Sequence, residues 1–274
     1  MRKIIIVLIL ALELVPCGLI AQVDDSYTKA LLHFDGVFTD ESGKPWASYG
    51  NAVTTTTQSK FGGYSLYLDG AGDWLETTSS VADFSFPGDF TIDFWINCGN
   101  QSIFNNIFSL TDEAETMPFW LFCFDNSDNF PGISTTGFSS DFILSSVAVG
   151  SNIWHHVAVT REGATIRFFV DGNQTATNSN AMALDSTTAS LFRIGKKDDA
   201  YPRYFVGYLD EIRISKGIAR WVSNFTPPTE EYGSTAAASD TGFPMGLAPG
   251  GHLQMAPGGH LQMAPGGKLL FAGE

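Results

Sequence analysis

The chain has 274 residues, 44% hydrophobic and 13% aromatic, enough apolar surface to pack one large core or two small ones. A formal charge of −14 disfavours nucleic acid and anionic membrane surfaces as partners, because both require a basic patch. The three cysteines, Cys17, Cys98 and Cys123, are too few for a disulfide-built scaffold, so packing must supply the stability.

Residues 1–21 read as a secretory signal peptide. Arg2 and Lys3 form a positive end, 4–12 an apolar run, and Leu19-Ile20-Ala21 a cleavage site before Gln22. The run is too short to span a bilayer, so no membrane span is expected once the leader is removed. An uncleaved anchor is the alternative, and Cys17 raises a lipoprotein reading although Pro16 stands where such signals want a small residue.

From 29 to 226 short strands alternate with Gly, Asp, Asn and Ser punctuation, the pattern of an all-β sandwich, and this stretch falls within an expected domain at 22–232. Ala30, Leu32 and Phe34 alternate with Leu31, His33 and Asp35, and Leu66 and Leu68 with Tyr67 and Asp69. Phe90, Ile92, Phe94 and Ile96 make the cleanest inward row, leaving Thr91, Asp93, Trp95 and Asn97 on the opposite face. Strands are expected at 105–110, 118–125 and 142–146, and loops at 125–140 and 173–189. Val157 and Val159 followed by Ile166, Phe168 and Val170 predict a hairpin closed near Gly163. In the late strand Tyr208, Ile212 and Ile214 share one face by simple alternation, which puts Asp210 in their apolar row. A carboxylate there needs hydrogen bonds or a cation.

After 232 the composition changes. A linker of small residues leads to an eight-residue period, APGGHLQM at 248–255 and 256–263 and APGGKLLF at 264–271, which predicts a flexible tail at 233–274 with attachment or sorting as the functional alternative. His252 and His260 could meet a metal only if that tail folds.

Several phrases occur in a fixed order: ALLHFDG at 30–36, KFGGYSLYLDGAGDWL at 60–75, GDFTIDFWI at 88–96, WHHVAVTR at 154–161, IRFFVDG at 166–172, and LDEIRISKGIARW at 209–221 followed by NFTPP. Over 28–228 the chain resembles the laminin G-like, concanavalin A-like lectin/glucanase superfamily. The resemblance implies a jelly-roll β-sandwich of two antiparallel sheets. It also implies a non-catalytic module secreted or held at a cell or virion surface, meeting an extracellular glycan or a cell-surface protein in adhesion or host contact. A glycoside hydrolase of the same fold and a structural surface or virion component are the alternatives. Members of the family commonly hold a structural calcium ion with an aspartate on a late strand. Asp210 occupies the matching place, with Asp35 as its partner from the first strand. The competing account is that Asp210 accepts hydrogen bonds from backbone amides at a bulge.

Glycosidases of this fold place paired acids along one strand. The nearest local match, Asp112-Glu113-Ala114-Glu115, lacks strand alternation, and FTIDFWI offers only Asp93, so no catalytic pair is assigned. His155 and His156 are adjacent on a strand and face opposite ways, one inward and one to solvent, so they cannot chelate together. Cys98 and Cys123 are packing residues, with a disulfide between them left open. The outward row Asp93, Trp95 and Asn97 is the candidate ligand surface, because an indole between polar neighbours offers a flat face to a sugar ring.

Overall fold

The computed structural model describes residues 25–99, 105–112, 119–124, 129–135, 142–179, 184–197 and 203–233, and the backbone of two later strands. The expected leader, Cys17, Glu113, Glu115 and His252 lie outside these residues. In chain order the strands are β1 (Thr28–Leu32), β2 (Ala47–Tyr49), β3 (Val53–Thr55), β4 (Ser65–Asp69), β5 (Trp74–Thr77) and β6 (Phe90–Asn97). They continue as β7 (Asn106–Thr111), β8 (Trp120–Phe124), β9 (Pro131–Ser134), β10 (Ile143–Leu144), β11 (His155–Glu162) and β12 (Thr165–Val170). The series ends with β13 (Asn173–Asn178), β14 (Leu191–Ile194), β15 (Val206–Lys216), β16 (His260–Met263) and β17 (Leu269–Ala272).

The first sheet runs β13-β12-β11-β6-β15-β4-β3 with β1 also on β15, and the second runs β10-β9-β8-β7-β14-β5-β2. All their pairings are antiparallel, giving the jelly-roll sandwich. Phe90, Ile92, Phe94 and Ile96 of β6 and Val157 and Val159 of β11 enter the core as their alternation dictates. From the second sheet Phe108, Trp120, Phe122 and Phe192 meet them, and Phe84 stacks on Phe192 at 3.9 Å. The β11–β12 hairpin turns at Gly163, whose φ of 57° suits a residue without a side chain.

Two segments expected to be loops hold strands: β9 lies within 125–140 and β13 within 173–189. Cys98 and Cys123 are both buried, as packing residues should be. In β15 the simple alternation fails. The chain bulges between Asp210 and Arg213, with Glu211 at φ 50°, so Leu209 rather than Tyr208 shares the core face with Ile212 and Ile214. On one edge β15 stays with β6; on the other it changes partner at the bulge, from β4 at 206–209 to β1 at 212–215.

The chain divides into two compact units, Met1–Thr235 and Ala236–Glu274. In the second, β16 and β17 pair antiparallel from His260 with Ala272 to Met263 with Leu269.

Candidate functional site

The outer face of the first sheet is where the expected ligand row lies, and most of it is covered. After β15 the chain folds back as an arm, 218–232, laid across β6, β11 and β12. Thr91 Oγ1 donates to the Ile218 carbonyl and accepts from the Arg220 N–H, Thr160 Oγ1 donates to the Trp221 carbonyl, and the Phe225 N–H donates to Gly172. Trp221 stacks on Phe225 at 4.0 Å, and the His156 ring meets both edge-on.

Beneath the arm is a buried charge cluster. Arg213 donates from Nε to Asp93 Oδ1 and from Nη2 to Asp93 Oδ2, each at 3.1 Å, and the Tyr232 hydroxyl donates to Asp93 Oδ2. His156 Nε2 is 3.2 Å from the Tyr232 oxygen, and the Arg213 guanidinium lies 4.0 Å from the centre of the Tyr232 ring. Burial would raise the Asp93 pKa, but the Arg213 charge and then His156 hold it down at about 2. Burial, and next the Asp93 charge, push the Tyr232 phenol well above its ordinary value.

The candidate row is thereby corrected. Asp93 is fully buried with its carboxylate committed to Arg213 and Tyr232, and Trp95 is only 6% exposed. Lys60 and Phe61 lie over Trp95, the Lys60 Nζ 3.8 Å from the ring centroid and Phe61 edge-on at 5.9 Å. Asn97 is 5% exposed, at the end of a more open cross-strand row of Val53, Tyr67 and Tyr208. Tyr67 and Tyr208 are half-buried and lie 4.8 Å apart. The two histidines differ from expectation as well. His156 is the buried one, under the arm rather than in the core, while His155 binds Asp171 at 2.7 Å at the rim.

Asp210 fills the fork where β15 leaves β4 for β1. Its Oδ2 accepts the Lys60 and Phe61 N–H groups at 2.8 and 3.2 Å, and its Oδ1 accepts the Glu211 N–H at 2.9 Å. Burial, with Glu211 adding to it, pushes Asp210 up to about 8 against the pull of those three donors. Calcium needs six to eight oxygens, and a carboxyl ringed by N–H donors does not fit it. Among the described residues no group of three or more His, Cys, Asp or Glu side chains is arranged to hold a metal ion. The three backbone hydrogen bonds to Asp210 are those that the bulge account expects.

What Asp210 positions is the 58–63 loop, one wall of a cleft of about 630 Å³. The cleft is lined by His33, Asp35, Glu41, Phe61 and Gly62 and by 229–233, the end of the arm and the residue after it. A Cβ on Gly62 would collide with Asp35 Oδ1 and Glu231 Oε1, so both carboxylates converge on its backbone. His33 binds Glu211 Oε1 at 2.7 Å, and Glu211 Oε2 accepts the Tyr232 N–H at 2.7 Å, which anchors the arm behind the cleft. Burial lowers the His33 pKa, but the Glu211 carboxylate outweighs it and holds the imidazole above its ordinary value. Of the residues expected from sequence, Asp35 alone lines this cleft. The acids Glu230 and Glu231 had no periodic signal to announce them; the only hint was their place just after the NFTPP phrase.

A family model described as the concanavalin A-like lectin/glucanases superfamily matches residues 68–220, more than half of the 274. No curated protein matches the chain. Among solved structures it is similar to botulinum neurotoxin type C, whose cell entry is dependent upon interaction with two ganglioside molecules: 13% identity, TM-score 0.53, covering 69% of this chain and 47% of that one. It is similar to domain 4 of AbnA, a GH43 extracellular arabinanase from Geobacillus stearothermophilus, in complex with arabinotriose: 13% identity, TM-score 0.52, covering 72% and 95%. A third is the binding domain of botulinum neurotoxin DC in complex with rat synaptotagmin II: 14% identity, TM-score 0.52, covering 69% and 48%. The chain spans about half the length of the toxin chains it matches. No helix among the described residues is long and apolar enough to cross a membrane.

Proposed function

Because the chain belongs to the concanavalin A-like lectin/glucanases superfamily, we propose that its sandwich domain is a non-catalytic recognition module that binds carbohydrate outside the cell. The observation that carries this is the cleft between the 58–63 loop and the arm. It joins the aromatic side chain of Phe61, with the buried Tyr232 behind it, to a rim of hydrogen-bond acceptors, Asp35, Glu41, Glu230 and Glu231. Sugar hydroxyls are donors that such carboxylates accept, and an aromatic ring offers the apolar face a sugar needs. The same carboxylates repel anionic ligands, so the preferred glycan is neutral rather than sialylated or uronic.

Catalysis has less behind it. The buried acids Asp93, Asp210 and Glu211 are each engaged by Arg213, backbone amides or His33, which leaves none of them poised over the cleft as a proton donor. Export is supported by the expected leader at 1–21, with the mature chain starting at Gln22. A glycan array probed with the full chain tests the reading. Signal on neutral oligosaccharides above that on sialylated and uronic-acid glycans is expected. Silence across the array overturns carbohydrate binding in favour of a protein partner or a structural surface role.

A further inference from the structure

The second sheet carries an aromatic group that the cleft does not use. At its edge Tyr49 of β2 lies flat on Trp74 of β5, ring centroids 4.4 Å apart and planes within 6°. With Tyr49 on one face of the indole, Lys196 takes the other, its Nζ 4.0 Å from the ring centroid. Tyr204 flanks Trp74 at 6.2 Å. Lys196, Trp74 and Tyr49 thus form a ladder whose last ring has one covered face and one facing water, and Tyr49 is 38% exposed. Every residue of β2 is exposed, so nothing in the strand itself shields that ring.

Glu76 touches the ring's hydroxyl, and Asn51 follows Tyr49 in the chain. The Tyr49 hydroxyl donates to Glu76 Oε1 at 3.4 Å, and Glu76 is also held by Arg193 at 2.7 Å. Asn51 lies two residues on, its side-chain amide donating to the Asp69 carboxylate at 3.4 Å. We propose that the open face of Tyr49 is a second carbohydrate-contact site, one that stacks the C–H face of a neutral sugar ring while Glu76, Asn51 and Asp69 meet its hydroxyls. Three features select that occupant. A single ring is too small for a stable protein interface, which needs roughly 800 Å² from each partner. A cation gains little, because the ladder already holds Lys196. An anion meets Asp69 and Glu76. The Tyr49–Trp74 pair belongs to the second sheet, whereas Asp35 and Phe61 of the cleft flank strands of the first, so the domain is bivalent and grips a polysaccharide more firmly than either site alone.

The test uses the full chain labelled with fluorotryptophan, with the Trp74 fluorine resonance assigned through Trp74→Phe. The probes are arabinotriose, cellotriose and chitotriose at about 10 mM, a level that reports Kd values in the millimolar range, with sialyllactose and free arginine as charged controls. At least one neutral trisaccharide is expected to move the Trp74 resonance. Tyr49→Ala should weaken that response about tenfold or more, Tyr49→Phe should keep it, and Phe61→Ala in the cleft should leave it unchanged. A Trp74 resonance indifferent to all three trisaccharides, equally responsive in Tyr49→Ala, or moved only by arginine overturns the proposal. The cleft reading stands or falls separately, on the Phe61→Ala comparison.

Discussion

Arg213 on β15 and Asp93 on β6 face each other directly in register and are joined by two parallel hydrogen bonds of 3.1 Å, with neither side chain exposed. The pair lies on the outside of the sheet, yet the arm seals it from water, so each charge depends on the other. Arg213→Met, which leaves a buried carboxylate without its cation, is expected to cost about 3–5 kcal/mol in urea unfolding. The double variant Asp93→Asn with Arg213→Met should recover part of that loss; a double variant worse than Arg213→Met alone would contradict the pairing.

Tyr232 ties the arm down at both ends of its own residue, the N–H on Glu211 and the hydroxyl on Asp93. Tyr232→Phe removes a hydrogen bond to a buried charge and should cost about 1.5–3 kcal/mol. Deleting 236–274 is expected to leave the melting temperature unchanged. Deleting from 229 onward uncovers Asp93 and Arg213 and should lower it sharply. Equal melting temperatures for the two truncations would mean that the arm contributes nothing.

The two buried aspartates act oppositely with pH. Asp93 is depressed to about 2 from 3.8, so its contribution is present above pH 3.8 and is lost as pH falls through about 2. Asp210 is raised to about 8 from 3.8, so its contribution is present below pH 3.8 and is lost as pH rises through about 8. Melting curves should therefore show stability falling between those two values, and Asp210→Asn should flatten that slope. An unchanged slope in the variant would assign the effect to other groups.

The same geometry bears on calcium. With both Asp210 oxygens taken by backbone N–H groups, the melting temperature is expected to be indifferent to chelator, and added calcium should produce no rise that Asp210→Ala abolishes. A calcium-dependent rise lost in that variant would show that the loop at Lys60 and Phe61 gives way to the ion.

The sandwich was legible because Phe90, Ile92, Phe94 and Ile96 alternate without interruption, and a strand buried on one side by a facing sheet must do so. β13 was not, because Asn173–Asn178 is an edge strand with no apolar face, and β9 begins with Pro-Gly, which reads as a turn. Alternation also says which way Asp93 and Trp95 point, but not that an irregular segment will cover them. The arm over Asp93 and the 58–63 loop over Trp95 carry no period, so that burial, and the supply of Glu230 and Glu231 to the cleft, leave no local trace. In β15 the sign that simple alternation would fail was Asp210, a carboxylate standing in an apolar row.

The most direct test of the account measures binding and cleavage together. The full chain and its Phe61→Ala variant would be run by affinity electrophoresis through arabinan, xylan, glucomannan and polygalacturonate, with the same mixtures assayed for reducing ends. The account predicts retardation of the wild type in at least one neutral polysaccharide and not in polygalacturonate. It also predicts faster migration of Phe61→Ala in that same gel, and no new reducing ends. Release of reducing ends, preference for the acidic polymer, or equal retardation of the two proteins would contradict it.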